Sequence, residues 1–304
     1  MKRESLFTGN TKVSDIVDIQ PHLLGVFPRI GMPLGFGDAS VSEACSRAGV
    51  DENTFLLICN LYAFPDKRPD PAGFASIDPG SVAAYLRRSH RFYLDEMMVS
   101  LFGAVEKMLE NCEPRRRRII LEFFTDYRTD LENHFLFEEE HVFPYLKELF
   151  PGGNGGAQRA GIVDEHEHIE QQIGDLIHLV MKYLPAECKN SDTLQVLSLL
   201  FFLQQDLDRH TLFEDAMLGL STRDGKRPKA GDRPTEQLSD REKEILVCVA
   251  QGLQNKEIAD KFNLSIYTVT THRKNITRKT GIKSIAGLTV YAILDGLIDI
   301  ESVS

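Results

Sequence analysis

A short pattern occurs twice in this chain of 304 residues and limits how the chain can fold. The segment LENHFLFEE at 131–139 returns as LDRHTLFED at 207–215, an offset of 76 residues. His90 and His166 are separated by the same 76 residues, and in each half 44 residues separate the isolated histidine from the HxxxE motif. A repeat that keeps four histidines and two glutamates in register indicates a duplicated structural unit.

The spacing of the motif predicts a metal site. Residues i and i+4 lie on one face of an α-helix, so each HxxxE motif can direct an imidazole and a carboxylate at one point. Two such helices, with two more that each contribute one histidine, would bring four nitrogen and two oxygen ligands together inside a four-helix bundle. Such donors without thiolate suit iron or manganese. The predicted metal ligands are His90, His134, Glu138, His166, His210 and Glu214.

One predicted ligand has a competitor. His168 lies two residues after His166 and should therefore lie on the opposite face of the helix, directed away from the metal site. His166 preserves the 44-residue separation and is preferred, with His168 as the alternative. A single HxxxE motif usually lies on a solvated helix face, but the doubled, register-matched set argues against that interpretation here.

The ligand pattern resembles the hemerythrin-like di-iron domain. The order of the ligands along the chain is similar to that in the branch of this family that repairs iron centres. The resemblance implies two non-haem irons bridged by carboxylates. Oxygen-carrying hemerythrins have a further histidine one turn after the third-helix histidine and a C-terminal HxxxxD motif. This chain has Glu170 at the former position and HxxxE at the latter.

The N-terminal region is predicted to form short helices over 12–19, 21–30, 41–48 and 52–62, with glycines as turns between them. Residues 12–49 resemble the ScdA-type domain that precedes the di-iron domain in iron-centre repair proteins. That domain usually carries a Cys-Cys pair, whereas the corresponding segment GMPLGFG at 31–37 has no cysteine. A structural or dimer-contact role is therefore expected.

The C-terminal region changes character after a polar linker at 221–237. Four helices are predicted: a capping box at Ser239 and Glu242 begins the first, Ser265 caps the longer, basic third helix, and Ser284 caps the fourth. A short helix, a tight turn and a longer basic helix are the components of a helix-turn-helix DNA-binding unit. We call this C-terminal unit, predicted at 238–304, the reader.

The reader resembles the LuxR-type DNA-binding domain through LSDRE at 238–242, GLQNKEIA at 252–259 and TVTTH at 268–272. The resemblance implies binding to double-stranded DNA, generally as a pair of domains, and places Thr270, Thr271 and Lys274 at base edges. Arg273, Arg278 and Lys279 are better placed for phosphates. The predicted DNA-binding residues are Thr268, Thr270, Thr271, Arg273, Lys274, Arg278 and Lys279.

Charge and composition agree with this division of the chain. Residues 221–304 hold 14 Lys and Arg against 11 Asp and Glu, whereas 1–220 hold 21 against 34. A basic end on an acidic body suggests that only the reader meets nucleic acid. The longest apolar run, 196–203, is too short for a bilayer. The N-terminus lacks the apolar stretch of a signal peptide, and the five cysteines form no CxxC or paired framework, which favours the cytoplasm.

The sequence thus predicts an all-α protein of three parts: a small helical domain at 1–64, an up-down four-helix hemerythrin-like bundle at 81–220, and the reader at 238–304. We expect a homodimeric regulator of transcription, without membrane contact, whose iron site senses nitric oxide, oxygen or an oxidant. The fourth bundle helix, ending near 218–220, is the expected route of the signal. The alternatives are an enzyme that repairs iron–sulfur centres or reduces nitric oxide, and a metal-free dimerisation scaffold.

Overall fold

The computed structural model describes residues 6–65, 67, 77–146, 156–188, 191–217 and 237–299. Within these ranges the regular structure is helical, apart from one isolated antiparallel bridge between Lys12 and Ser40. The predicted all-α class is therefore confirmed. No helix in this part of the chain combines the length and apolarity needed to cross a membrane.

Four short helices form the N-terminal region, as the glycine positions predict. The third and fourth begin where a side chain accepts one of the first backbone N–H groups: Ser40 forms a capping box with Glu43, and Asp51 caps the next helix. Gly31 ends the second helix with a φ of 99°, in the left-handed region that favours glycine. The four helices are α1 (Val13–Ile19), α2 (Leu23–Ile30), α3 (Val41–Ala48) and α4 (Glu52–Ala63).

The central region consists of four long helical stretches, two of which contain π-helical turns. Asp78 caps the first stretch and Pro79 occupies its first position, so it begins slightly before the predicted residue 81. The stretches are α5 (Pro79–Arg91) with a π segment (Phe92–Met97) and α6 (Met98–Met108); α7 (Pro114–His141); α8 (Gly156–His178) with a π segment (Leu179–Tyr183); and α9 (Asp192–Met217). The expected signal route at 218–220 lies outside the described residues.

The reader has the predicted four helices. Ser239, Ser265 and Ser284 each cap a helix through their side-chain oxygen, as the sequence indicates. The turn between the second and third helices begins at Asn263, which has a φ of 51°. The helices are α10 (Asp240–Ala250), α11 (Asn255–Phe262), α12 (Ile266–Thr280) and α13 (Ile285–Leu294).

The chain divides into two compact units, and the long central helices contribute to both. The first unit comprises 1–97, 132–164 and 205–225, and the second comprises 98–131, 165–204 and 226–304. In the first unit, Phe27 and Phe55 of the N-terminal helices belong to the same hydrophobic core as Tyr85 and Phe213. The three-domain division at 1–64, 81–220 and 238–304 stays a prediction.

A buried ion pair also links the N-terminal helices to the central ones in the first unit. The Arg29 guanidinium donates to both carboxylate oxygens of Asp206, at 2.7 and 2.9 Å, and both side chains are almost fully buried. The Tyr93 hydroxyl donates to the same carboxylate at 2.6 Å. Burial raises the pKa of Tyr93, so its phenol stays protonated and able to donate.

The expectation that the cysteines form no pair is wrong. Cys112 and Cys188 are joined by a disulfide, whereas Cys45, Cys59 and Cys248 are buried free thiols. Both bonded cysteines lie in the second unit, 76 residues apart. That separation equals the offset of the histidine repeat, so the spacing could have revealed the pair.

Candidate metal centre and nucleic-acid interface

Four of the predicted ligands meet in the interior of the first unit. One ligand atom from each of His90, Glu138, His210 and Glu214 can be chosen so that all lie within 4.8 Å of one another, and all four residues are buried. Nε2 of His210 lies 3.2 Å from Oε1 of Glu214, across one helical turn of α9. His134 makes the equivalent approach on α7, with Nε2 3.3 Å from Oε1 of Glu138. Each HxxxE motif therefore places its two side chains on one face.

His90 is held by a carboxylate that sequence reasoning missed. Its Nδ1 lies 3.0 Å from Oε1 of Glu139, whereas its Nε2 lies 3.4 Å from Oε2 of Glu138. Burial disfavours the imidazolium, but the three nearby glutamates outweigh it and raise the pKa of His90 to about 10. The Phe135 ring stacks on the imidazole with centroids 4.0 Å apart. The only sequence signal for the contact between His90 and Glu139 is that Glu139 directly follows the HxxxE motif.

The donor set fits a bound cation. Both ring nitrogens of His210 are buried and make no hydrogen bond among the described residues. A buried polar atom without a hydrogen bond is costly, and coordination to a metal would remove that cost. Two buried carboxylates beside two buried imidazoles supply oxygen and nitrogen ligands only, which suits iron or manganese.

The remaining predicted ligand lies in the second unit. His166 is buried on α8, with 3% of its surface exposed. The competing His168 is 57% exposed at its side chain, and its Nε2 lies 3.5 Å from an Asp130 carboxylate oxygen. The burial of the two histidines favours His166, as the 44-residue spacing does.

The predicted DNA-binding residues lie along α12. Thr271, Lys274 and Arg278 are exposed, and Thr268 and Thr270 are partly exposed. Tyr267, which sequence reasoning missed, is 82% exposed one turn before Thr271. No signal in the sequence marked it, because an aromatic residue at a helix start is more often part of a core.

Two of the predicted phosphate-contacting residues interact within the reader. Lys279 is mostly buried, and its ammonium lies 2.8 Å from the Glu242 carboxylate. Arg273 donates to the Asn255 side chain at 2.6 Å. The geometry favours a structural role for Lys279 over the predicted phosphate contact, because its charge is already compensated.

The second unit also contains a docking contact between α8 and the reader. The buried Asp175 carboxylate accepts the backbone N–H groups of Lys283 and Ser284 at 2.8 and 2.7 Å. Nδ1 of His178 lies 2.6 Å from the carbonyl oxygen of Gly281, and the Tyr183 hydroxyl donates to the carbonyl of Thr280. These bonds fix the end of α12 and the start of α13.

Apolar side chains complete the docking contact. The Tyr183 and Tyr291 rings lie with centroids 4.5 Å apart. Leu176, Leu179 and Val180 face Val290 and Leu294 of α13 around a cavity of about 10 Å³. A cavity of that size holds at most one water molecule, so the contact is well packed.

The docking contact should weaken as the pH falls. Burial, with a smaller contribution from Lys182, lowers the pKa of His178 from its usual 6.5, although the hydrogen bond to Gly281 opposes this. The docked state therefore favours the neutral ring, and docking is fully stable above pH 6.5 and loses stability as protonation begins below it. We expect faster hydrogen exchange at Lys283 and Ser284 at pH 6 than at pH 8, after correction for intrinsic rates. His178→Gln should remove the dependence; an unchanged pH profile would contradict the assignment.

Two family models match the chain. Residues 83–219 match the hemerythrin HHE cation binding domain. Residues 236–292 match the luxR family of bacterial regulatory proteins. The hemerythrin-like and LuxR-type resemblances are therefore confirmed.

Two curated relatives each match a short segment of the chain. The transcriptional regulatory protein MctR of Rhizobium johnstonii is 40% identical over 74 residues, which are 24% of this chain and 33% of MctR. The oxygen regulatory protein NreC of Staphylococcus aureus strain JH9 is 44% identical over 66 residues, 22% of this chain and 30% of NreC. The matched segments thus span about a third of each relative. The chain combines a hemerythrin HHE cation binding domain with a domain of the luxR family of bacterial regulatory proteins.

Proposed function

We propose that this protein is a DNA-binding regulator of transcription in the cytoplasm whose hemerythrin domain holds two irons and senses nitric oxide, oxygen or an oxidant. The observation that carries the proposal is the buried cluster of histidine and glutamate side chains on the same chain as the reader. The proposed metal ligands are the six repeat-related residues His90, His134, Glu138, His166, His210 and Glu214.

The residues around the cluster are consistent with a bound iron centre. Bound iron would supply the redox and ligand-exchange chemistry that a diatomic gas or an oxidant requires. The Glu139 carboxylate would accept a hydrogen bond from Nδ1–H of His90, which leaves Nε2 available as a ligand. The stacked Phe135 ring excludes water from one face of that imidazole.

The charge of the reader supports double-stranded DNA as its binding partner. Residues 265–283 contain five Lys and Arg and no Asp or Glu, and two of them, Lys274 and Arg278, are exposed on α12. The relatives MctR and NreC are named as regulatory proteins, which agrees with this proposal. We propose that two copies bind together, with half-sites about one helical turn of DNA apart, ~34–36 Å.

The experiment that tests the function measures operator affinity in three states of the full chain. Metal-free, reduced iron-loaded and nitric-oxide-treated protein are compared at one salt concentration, because salt alone changes affinity. Coupling between sites is typically about 5–150-fold in affinity. Equal affinities, with iron present and shown to react, would mean that the metal domain does not regulate the reader; the enzyme interpretation would then be preferred.

Two side chains of α12 should affect DNA binding in different ways. Lys274→Ala should cost about 1–3 kcal/mol on the preferred site and reduce discrimination between sites, since a base contact is lost. Arg278→Ala should weaken binding to all sequences alike and reduce the salt slope by roughly 0.9, as expected for one phosphate contact. Fluorescence anisotropy on matched and scrambled duplexes measures both effects.

The matched control for these variants is Lys107→Ala, which removes an exposed lysine from α6, outside the reader. It should leave affinity and salt slope unchanged. If Lys107→Ala weakened binding as much as Lys274→Ala, the loss would reflect net charge, and the assignment of α12 as the reading helix would be wrong.

A further inference from the structure

The disulfide joins two repeat-related positions that lie next to the docking contact. Cys112 and Cys188 have Cα atoms 4.9 Å apart, within the range of about 4.4–6.8 Å that a disulfide needs. Cys112 lies two residues before α7, and Cys188 ends a short 3-10 turn before α9. The bond therefore links the segment before α7 to the segment before α9, both in the second unit.

The segments beside the two cysteines carry contacts to the reader. Tyr183, just before Cys188, has its ring against that of Tyr291 of α13, and Leu184 lines the same small cavity as Val290. On the other side, Arg115, three residues after Cys112, forms an ion pair with Asp299. The disulfide thus joins the two segments of the bundle on which the C-terminal part of the reader rests.

The other cysteines of the chain are unsuited to redox chemistry. Burial raises the pKa of Cys45 to about 12 and that of Cys59 well above its usual value, which suppresses the reactive thiolate. Cys248 lies in the core of the reader, 1% exposed. Cys112, at 7% exposure, is the more accessible member of the bonded pair, since Cys188 is fully buried.

We propose that Cys112 and Cys188 form a reversible thiol–disulfide site whose oxidation stabilises docking of the reader. The reactant is a small thiol and its disulfide, of the glutathione class. The regulatory consequence rests on the proposed function, since a DNA-binding regulator acts where cellular thiols stay reduced and disulfides are usually transient.

Reduction proceeds by two exchange steps. A small thiolate attacks Sγ of Cys112, breaks the Cys112–Cys188 bond, forms a mixed disulfide and releases the Cys188 thiolate. A second small thiolate attacks the outer sulfur of the mixed disulfide and releases the Cys112 thiolate. Two small thiols become one small disulfide, and the protein gains two electrons and two protons. Oxidation is the reverse.

The first test counts thiols in the full-length protein. The protein is equilibrated in buffers of reduced and oxidised glutathione, quenched in acid, unfolded, alkylated and weighed by mass spectrometry. We expect five labelled cysteines at the reducing end, three at the oxidising end, and a single two-electron transition between them. Three labels even in excess reduced glutathione would reveal a fixed structural disulfide, and five at every ratio would mean that no bond forms; either result overturns the proposal.

The second test measures docking through hydrogen exchange at Lys283 and Ser284, whose amides donate to Asp175. Exchange should be slower in the oxidised form by roughly 5–150-fold, the usual range of coupling between sites. The double variant Cys112→Ser, Cys188→Ser should exchange at the reduced rate in every buffer, whereas Cys45→Ser should keep the redox response. Equal exchange in both redox states would refute the effect on docking.

These readouts separate the proposal from the proposed function. Thiol counts and amide exchange need no DNA and no metal. A protein that binds no operator could still pass both tests, and one that regulates transcription could fail them.

Discussion

Replacing Asp206 with alanine is expected to lower the free energy of unfolding by about 3–5 kcal/mol, because it removes one partner of a buried ion pair. The variant would leave the Arg29 guanidinium in the core without its carboxylate and the Tyr93 hydroxyl without its acceptor. Chemical denaturation of the metal-free protein, followed by circular dichroism, measures the change.

The control is Asp208→Ala, which removes an exposed carboxylate two residues further along α9. Surface ion pairs contribute about 0–1 kcal/mol, so this variant should stay close to the parent. If Asp206→Ala also cost less than 1 kcal/mol, the Arg29 pair would not anchor the N-terminal helices to the central ones.

Removing the two motif glutamates should abolish binding of the iron pair. Glu138→Gln with Glu214→Gln keeps the side-chain volume and removes both buried negative charges, which bound cations need as counter-charge. Purified under anaerobic conditions, the parent should hold near two irons per chain and the double variant close to none, as measured by plasma emission spectrometry.

Two further variants on the same helix sharpen that result. Glu140→Gln removes an exposed carboxylate and should leave the iron content unchanged. Glu139→Gln replaces the charged acceptor of the Nδ1 hydrogen bond of His90 with a neutral amide oxygen and should reduce metal affinity about 10–100-fold, as is usual for groups that orient a ligand. Full iron occupancy in the Glu138 and Glu214 double variant would refute the ligand assignment.

The helices and much of the candidate centre could be predicted because their signals are local. Ser239, Ser265 and Ser284 cap helices through hydrogen bonds to residues at most three positions away, and the HxxxE spacing fixes which side chains share a face. Predictions of this kind depend on backbone geometry alone and need no knowledge of tertiary packing.

The contacts that sequence reasoning missed depend on long-range packing. Arg29 and Asp206 are 177 positions apart, and Asp175 binds amides more than 100 positions away. Nothing in the residues next to Arg29 along the chain distinguishes it from a surface arginine at the end of a helix. The disulfide is the exception, because Cys112 and Cys188 share the spacing of the histidine repeat.

The long separation between Arg29 and Asp206 has a consequence for biosynthesis. A ribosome adds about 5–20 residues per second, so on the order of 10–30 s pass between the synthesis of Arg29 and that of Asp206. Throughout that interval the nascent N-terminal helices lack the carboxylate that allows the guanidinium to enter the core. Their native packing must therefore wait until most of the chain has been translated, and a ribosome stalled before residue 206 carries an N-terminal region that chaperones and proteases can still recognise as unfinished.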